Sequence, residues 1–160
     1  MKEFSVSFVN SIEEIGRDSW NALAGTDNPF IRYEFLHALE STGCTTEETG
    51  WKPMHVFVSE NSAAVSEVNI PVAVMPLYLK NNSWGEYVFD WSWSEAFSRY
   101  GLAYYPKLVT AIPFTPSVGP RVCKGDDPLD VDLTTLIFEK VKAKAAELGA
   151  SSWHVLFPTE

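Results

Sequence analysis

Alternating apolar and polar positions open the chain and predict a strand followed by two helices. Residues 4–9 (FSVSFV) alternate aromatic or aliphatic side chains with serine, which is typical of a strand with one buried face. Ser11 predicts a helix start, because Glu14 three residues later completes a capping box. A second helix is predicted over residues 29–40, with proline at its first position and Gly43 as its stop.

The remaining pattern predicts further strands and two more helices. Apolar runs at 52–59 and 70–80 predict a hairpin across a polar turn at 60–66. Pro76 lies at an edge or bulge, because proline lacks an N–H donor. Helical spacing from the Asp132 cap to Gly149 predicts the last helix. The other predicted elements are strands at 87–90, 108–114 and 152–157 and a short helix at 95–100. The order β-α-α-β-β-β-α-β-α-β predicts one α+β domain over residues 1–160.

Charge and hydropathy narrow the classes of partner. The chain has 12 basic and 21 acidic residues and a net charge of -9, which disfavours general binding to nucleic acid. Its longest apolar run, at 70–79, is too short to span a bilayer, and the first residues carry no apolar segment of a signal peptide. These features predict a cytoplasmic protein. Cys44 and Cys123 are expected to be free, buried thiols in a reducing compartment.

The centre of the chain departs from this average. Residues 70–124 hold 11 of the 22 aromatic residues and carry five basic against three acidic side chains. An aromatic core accounts for part of this set. The run WGEYVFDWSWSEAFSRYG places rings on both faces of any regular element, which favours a pocket with a few convergent polar groups.

Two groups of residues in this centre carry candidate chemistry. Asp90 lies between Phe89 and Trp91, where apolar surroundings raise the pKa of a carboxylate and suit a general base. The alternative is that Asp90 caps the following helix or pairs with Arg99. The run YYPK at 104–107 places a phenol and an ammonium beside a rigid turn, where they bind an anionic substrate or simply close a loop.

The sequence gives little indication of other catalytic motifs. His37, His55 and His154 are scattered, without the spacing of metal ligands, and we expect no metal site. The sequence contains no G-x-S-x-G, P-loop or G-x-G-x-x-G motif.

Several stretches, in this order and spacing, resemble one bacterial family. They are PFIRYEFLHALESTG, TGWKPMHV, VMPLYLKNNSWGEYVFDWSW, YYPKLVTAIPFTPSVGPRV and WHVLF, and the resemblance extends over residues 12–157. The chain resembles the FemAB-like, peptidoglycan-biosynthesis-related family of predicted N-acyltransferases in the GNAT superfamily. The resemblance implies a GNAT-like, mostly antiparallel sheet flanked by helices. It also implies that this chain is the N-terminal half of a two-half protein and is inactive alone.

The resemblance also implies acyl transfer to an amine, yet one feature of the superfamily is missing. GNAT enzymes hold the CoA pyrophosphate on a Q/R-x-x-G-x-G/A loop, and residues 116–121 read PSVGPR. Pro120 removes a backbone N–H that a phosphate cradle needs, and Asp126, Asp127 and Asp130 repel an anion. We therefore expect no cofactor in this half, with acyl-CoA or another donor bound by the other half.

Two functions stay open. The chain shapes the acceptor pocket of an N-acyltransferase acting on a small-molecule or peptide amine, as in a cell-wall precursor, or it is a non-catalytic module that binds a ligand or peptide through its aromatic surface. In the first case Asp90 orients or deprotonates the amine. The other candidates contribute charge or ring surface to binding: Arg99 for a carboxylate, Lys107 and Arg121 for anionic groups, and Tyr105 and Trp91 as walls.

Overall fold

The computed structural model describes residues 3–61, 69–125 and 132–159, which contain both helices and strands. The helices are α1 (Arg17–Ala24), α2 (Tyr33–Ser41), α3 (Trp91–Arg99) and α4 (Leu133–Glu147). The strands are β1 (Glu3–Val9), β2 (Lys52–Pro53), β3 (His55–Asn61), β4 (Asn69–Met75), β5 (Tyr78–Lys80), β6 (Lys107–Thr110), β7 (Cys123–Lys124) and β8 (Trp153–Val155).

The strands form two sheets of four. Sheet one has the order β1-β3-β4-β7 with antiparallel neighbours throughout. Sheet two has the order β2-β5-β6-β8, in which only β6 and β8 run parallel. The predicted α+β class with mostly antiparallel strands is confirmed, although the strands divide between two sheets. The GNAT-type arrangement stays a prediction.

Each strand of the predicted hairpin divides where the chain passes from one sheet to the other. The run at 52–59 becomes β2 and β3, and the run at 70–80 becomes β4 and β5. Pro76 lies between β4 and β5 rather than inside a strand. Next to it, the Leu77 carbonyl accepts from the Met54 N–H at 2.8 Å. This hydrogen bond links the β2–β3 junction to the β4–β5 junction, the two places where the chain passes between the sheets. The predicted turn at 60–66 lies outside the described residues from 62 onward.

Helix starts follow the local signals in part. The Ser11–Glu14 capping box is confirmed, but it starts a 3₁₀ turn (Ile12–Glu14). Gly16, with φ of 85°, separates this turn from α1, so the single predicted helix is two. Helix α2 begins at Tyr33, later than predicted. The Asp132 cap of α4 is confirmed, because its carboxylate accepts the backbone N–H groups of the first turn.

Helices cover both faces of sheet one, as the alternation along β4 requires. Ala73 and Met75 belong to an apolar cluster with Ile137 and Val141 of α4. Val74, pointing the other way, packs in a second cluster with residues of α1 and α2. Within the described ranges, no helix is long and apolar enough to cross a bilayer.

The cysteines occupy different environments. Both are free thiols, Cys123 is buried as expected, and Cys44 is exposed, which corrects the prediction for that residue. Burial raises the pKa of the Cys123 thiol to about 11, so this thiol is unreactive at neutral pH.

Candidate functional site

Residues 81–90, between β5 and α3, form an irregular segment. The predicted strand at 87–90 is wrong, because Tyr87 and Phe89 have positive φ angles of 60° and 44° that no strand accommodates. Helix α3 begins at Trp91, earlier than the predicted position 95. Asp90 occupies its N-cap position, yet the side chain makes no capping hydrogen bond. Its carboxylate is buried instead.

Lys107, at the start of β6, ties this segment to sheet two. Its Nζ donates to Asp90 Oδ2 at 2.5 Å, to Glu86 Oε2 at 2.8 Å and to Ser83 Oγ at 2.9 Å. The side chains of Lys107 and Glu86 are 0% exposed and that of Asp90 is 8% exposed. The Tyr104 hydroxyl also donates to Asp90 Oδ2, at 2.6 Å. Buried charges require such pairing, so these contacts fix the segment in place.

A second buried lysine completes the group. Lys80 Nζ lies 3.9 Å from Glu86 Oε1, donates to the Trp84 carbonyl at 3.1 Å and sits 3.6 Å from the centroid of the Trp51 ring. We call Lys80, Glu86, Asp90 and Lys107 the lysine–carboxylate network; it contains two basic and two acidic groups. Burial lowers the pKa of Lys80 to about 7 and raises the pKa of Glu86.

The pKa of Asp90 is lowered, whereas the sequence predicted that it would be raised. Burial alone would raise its pKa, but hydrogen bonds from Lys107, the nearby Ser83 hydroxyl and Tyr104 lower it to about 2. Burial and the bond to Asp90 in turn raise the pKa of Tyr104. Asp90 is therefore a permanent carboxylate at neutral pH and a weak base, which fits orienting an amine better than deprotonating it.

A cleft of about 390 Å³ opens beside Asp90, between α3 and β8. Its walls include the rings of Phe89, Trp93 and Phe97, and its polar lining includes Asp90, Tyr104 and His154. Asp90 Oδ1 is buried and makes no hydrogen bond of normal geometry within the described residues. The cleft therefore combines apolar walls with a carboxylate whose buried Oδ1 has no hydrogen-bond partner among the described residues.

Three of the six predicted site residues meet at this place. Asp90 and Lys107 are paired in the network. The Tyr105 hydroxyl lies 2.7 Å from Ser83 Oγ, at the edge of that network. The ammonium of Lys107 is surrounded by its protein partners, so its role is to hold Asp90 and Glu86.

The two arginines lie elsewhere. Arg99 is 72% exposed on α3 and pairs with Glu95 at 2.6 Å. Arg121 is buried, and its guanidinium donates to the backbone carbonyls of Leu156 at 2.8 Å, Ser117 at 2.6 Å and Pro120 at 3.1 Å. Arg121 therefore ties the 117–121 loop to the end of sheet two.

Trp91 belongs to an exposed ring surface, which we define as Trp84, Phe89 and Trp91. Their exposed fractions are 69%, 69% and 55%. The Trp91 ring centroid lies 6.2 Å from that of Trp84 and 5.6 Å from that of Phe89. A contiguous exposed apolar patch often marks an interaction site, whereas apolar residues that are exposed singly are ordinary.

Sequence reasoning missed three residues of the site. The sequence predicted no role for Lys80 or Glu86 beyond the local charge balance. A lysine at the end of the apolar run at 70–80 could have indicated a buried cation. His154 was assigned to an ordinary strand. Its position beside the cleft depends on the parallel pairing of β6 with β8, in which Val109 lies opposite His154.

The 116–121 loop offers few backbone donors to an anion. Pro116 and Pro120 have no N–H, the Ser117 N–H donates to the Thr115 carbonyl at 2.8 Å, and the Gly119 N–H donates to the Phe157 carbonyl at 3.2 Å. The aspartates at 126, 127 and 130 lie outside the described residues. In the part of the chain that the structure describes, no group of three or more His, Cys, Asp or Glu side chains could hold a metal ion.

Comparison with known proteins gives a family. A family model described as FemAB-like, peptidoglycan biosynthesis/recognition, matches residues 11–160. No curated protein and no solved structure matches the chain significantly. The match covers the network, the cleft and every strand except β1.

Proposed function

This chain belongs to the FemAB-like family of peptidoglycan biosynthesis and recognition, and from that premise we propose that it supplies the acceptor side of an N-acyltransferase. The reaction is acyl or aminoacyl transfer to an amine of a cell-wall precursor. The observation that supports this function best is the cleft lined by Asp90, whose buried Oδ1 has no hydrogen-bond partner among the described residues.

The acceptor amine binds with an N–H directed at Asp90 Oδ1. The other carboxylate oxygen is held by Lys107 and Tyr104, so the carboxylate keeps its orientation when the ligand enters. The rings of Phe89 and Trp93 contact the aliphatic part of the acceptor. The acyl donor, an ester or thioester, is held outside this cleft.

Binding of a stem peptide tests this function without knowledge of the donor. The peptide carries a free side-chain amine, and the comparison peptide is the same sequence with that amine acetylated. We expect only the free amine to bind, measured by shifts of the Trp93 and Tyr104 side-chain signals in NMR. Asp90→Asn should weaken binding about tenfold to a hundredfold, because a hydrogen bond to a charged group contributes about 1.5–3 kcal/mol.

Asp18→Asn is the matched control, since Asp18 is an exposed carboxylate on α1 outside the cleft lining. It should bind the peptide as the unchanged protein does. Equal binding of the free and acetylated peptides would contradict the acceptor function.

The ring surface of Trp84, Phe89 and Trp91 favours a second candidate, a non-catalytic module that recognises a cell-wall peptide. In that case acetylation of the amine has no effect, and Trp91→Ala weakens both peptides equally. The two candidates therefore predict opposite results in one experiment.

A further inference from the structure

A chain of hydroxyl groups fixes the tautomer of His154. The Ser151 hydroxyl donates its proton to the Tyr104 carbonyl. Ser151 Oγ and Ser152 Oγ lie 3.3 Å apart, and since the Ser151 proton is already used, Ser152 is the donor between them. Ser152 Oγ then accepts from His154 Nε2, 2.9 Å away. With Ser152 as the donor to Ser151, these partners assign the N–H of the neutral ring to Nε2 and leave the lone pair on Nδ1.

The surroundings keep this ring neutral. Burial lowers the pKa of His154, Lys107 lowers it further, and Asp90 opposes them. Tyr104 connects His154 and Asp90, because its hydroxyl binds Asp90 and its ring packs edge-on at 6.2 Å from the imidazole. The lining of the cleft thus includes both the carboxylate residue Asp90 and the imidazole residue His154.

We propose that the cleft takes a primary aliphatic amine and that Nδ1 of His154 is the group that receives its proton. This inference rests on the proposed function, and it transfers to His154 the role of base that the sequence assigned to Asp90. The co-reactant is an activated acyl ester or thioester. As the amine nitrogen bonds to the acyl carbon, its N–H bond breaks and the proton passes to Nδ1. The bond from acyl carbon to leaving group breaks, and its electron pair departs with the leaving group. Asp90 accepts a second N–H and orients the nitrogen, while Ser152 is a positioning residue that acts through the imidazole.

Titration of the histidines by NMR tests the proposal, with n-butylamine as probe and n-butanol as its counterpart. The chain contains three histidines, so each imidazole signal can be followed. Bound amine, charged or neutral, should lower the pKa of His154 by about one unit, because a protonated imidazole cannot accept an N–H and repels a cation. By linkage, affinity should fall about tenfold as pH drops through the His154 transition. n-Butanol should produce less than half of either effect.

His37 and His55 are internal references and should not move, since neither lines the cleft. In His154→Gln the pH-dependent step in amine affinity should vanish, while His37→Gln should keep it. Ser152→Ala should reduce the Nε2–H share of the tautomers in the ¹⁵N spectrum, and Ser98→Ala, an exposed position on α3, should not.

An unchanged or raised pKa of His154 at saturating amine would overturn the assignment, and so would the absence of any amine-induced shift in the cleft. The two proposals fail separately. If acetylation of the stem peptide has no effect while n-butylamine still lowers the pKa of His154, the cell-wall acceptor is wrong and the amine site stands. If the free peptide binds selectively while His154 does not respond, the acceptor function stands and the base is another group.

Discussion

Replacing Lys107 by methionine tests whether the lysine–carboxylate network holds the site together. The substitution keeps side-chain length and removes one charge that makes three hydrogen bonds, two of them to the buried carboxylates Glu86 and Asp90. After it, the nearest remaining cation is Lys80, 3.9 Å from Glu86. Removing one partner of a buried ion pair costs about 3–5 kcal/mol, because the other charge stays buried without compensation. A domain of this kind has roughly 5–15 kcal/mol of stability in total, so Lys107→Met should lose about a fifth of it or more.

Urea denaturation followed by tryptophan fluorescence measures this loss, and pH gives its signature. In Lys107→Met, Glu86 and Asp90 lose their partner, so their pKa values rise and the penalty is relieved as pH falls. In the unchanged protein the pKa of Asp90 is lowered from 3.8 to about 2, so its stabilising contribution is present above 3.8 and is lost as pH falls through 2. The first effect should narrow the difference in free energy of unfolding as pH is lowered from neutral toward 4. The loss of the Asp90 contribution should narrow it further between pH 3.8 and 2.

Two further variants separate charge pairing from packing. Lys144→Met removes a lysine whose partner, Glu147, is exposed, and it should cost less than about 1 kcal/mol. Adding Asp90→Asn to Lys107→Met should restore part of the loss, since the remaining charges of the network, Lys80 and Glu86, are then paired with each other. The reasoning fails if Lys107→Met costs no more than Lys144→Met, or if its cost is independent of pH.

Three other predictions concern the neighbourhood of the network. Gly85→Ala should destabilise by about 1–3 kcal/mol in the same denaturation assay, because Gly85 has φ of 77° and a Cβ would lie 2.5 Å from the Phe114 ring. Lys80 loses its proton more readily folded than unfolded, so between pH 7 and 10.5 the unfolded state binds more protons and stability should rise with pH; Lys80→Met should lack this rise. Acyl-CoA should leave the thermal midpoint unchanged in a thermal-shift assay, because the guanidinium of Arg121 is occupied by backbone carbonyls, and a reproducible increase would contradict this.

Local signals predicted most helices and three strands of sheet one, β1, β3 and β4, but they missed β7 and the features that depend on tertiary contacts. The capping box at Ser11 and the Asp132 cap depend on neighbours in sequence, and both are confirmed. The passage between sheets could not be predicted, because the runs at 52–59 and 70–80 stay apolar on both sides of the crossing. The segment at 87–90 has the composition of a strand, yet Tyr87 and Phe89 adopt left-handed backbone on the stretch between the buried carboxylates Glu86 and Asp90, which both pair with Lys107.

The composition of residues 70–124 indicated where the candidate site lies. The path of the chain and the strand register decide which of its residues meet. Asp90 and Lys107 lie 17 positions apart, and their pairing follows from the path of residues 81–106. Arg99 is close to Asp90 in sequence, yet α3 carries it to the opposite end of the helix. Antiparallel pairing places Lys80 opposite Lys107, and this neighbour relation across sheet two has no signature in either segment alone.

Burial between Trp84 and Trp91 is the inverse of the usual pattern. The acids Glu86 and Asp90 point inward, and the rings of Trp84, Phe89 and Trp91 point to solvent. Burying a large apolar side chain contributes about 1.5–3 kcal/mol, and burying a carboxylate costs free energy unless it is paired. Stability alone would therefore favour rings inside and acids outside. The chain instead supplies two buried lysines to compensate the acids and adopts left-handed backbone at Phe89, a cost that proteins concentrate at binding sites. The inversion leaves a carboxylate residue in the lining of a cleft beside an exposed ring surface, which is the arrangement that suits an amine on an apolar or peptide body.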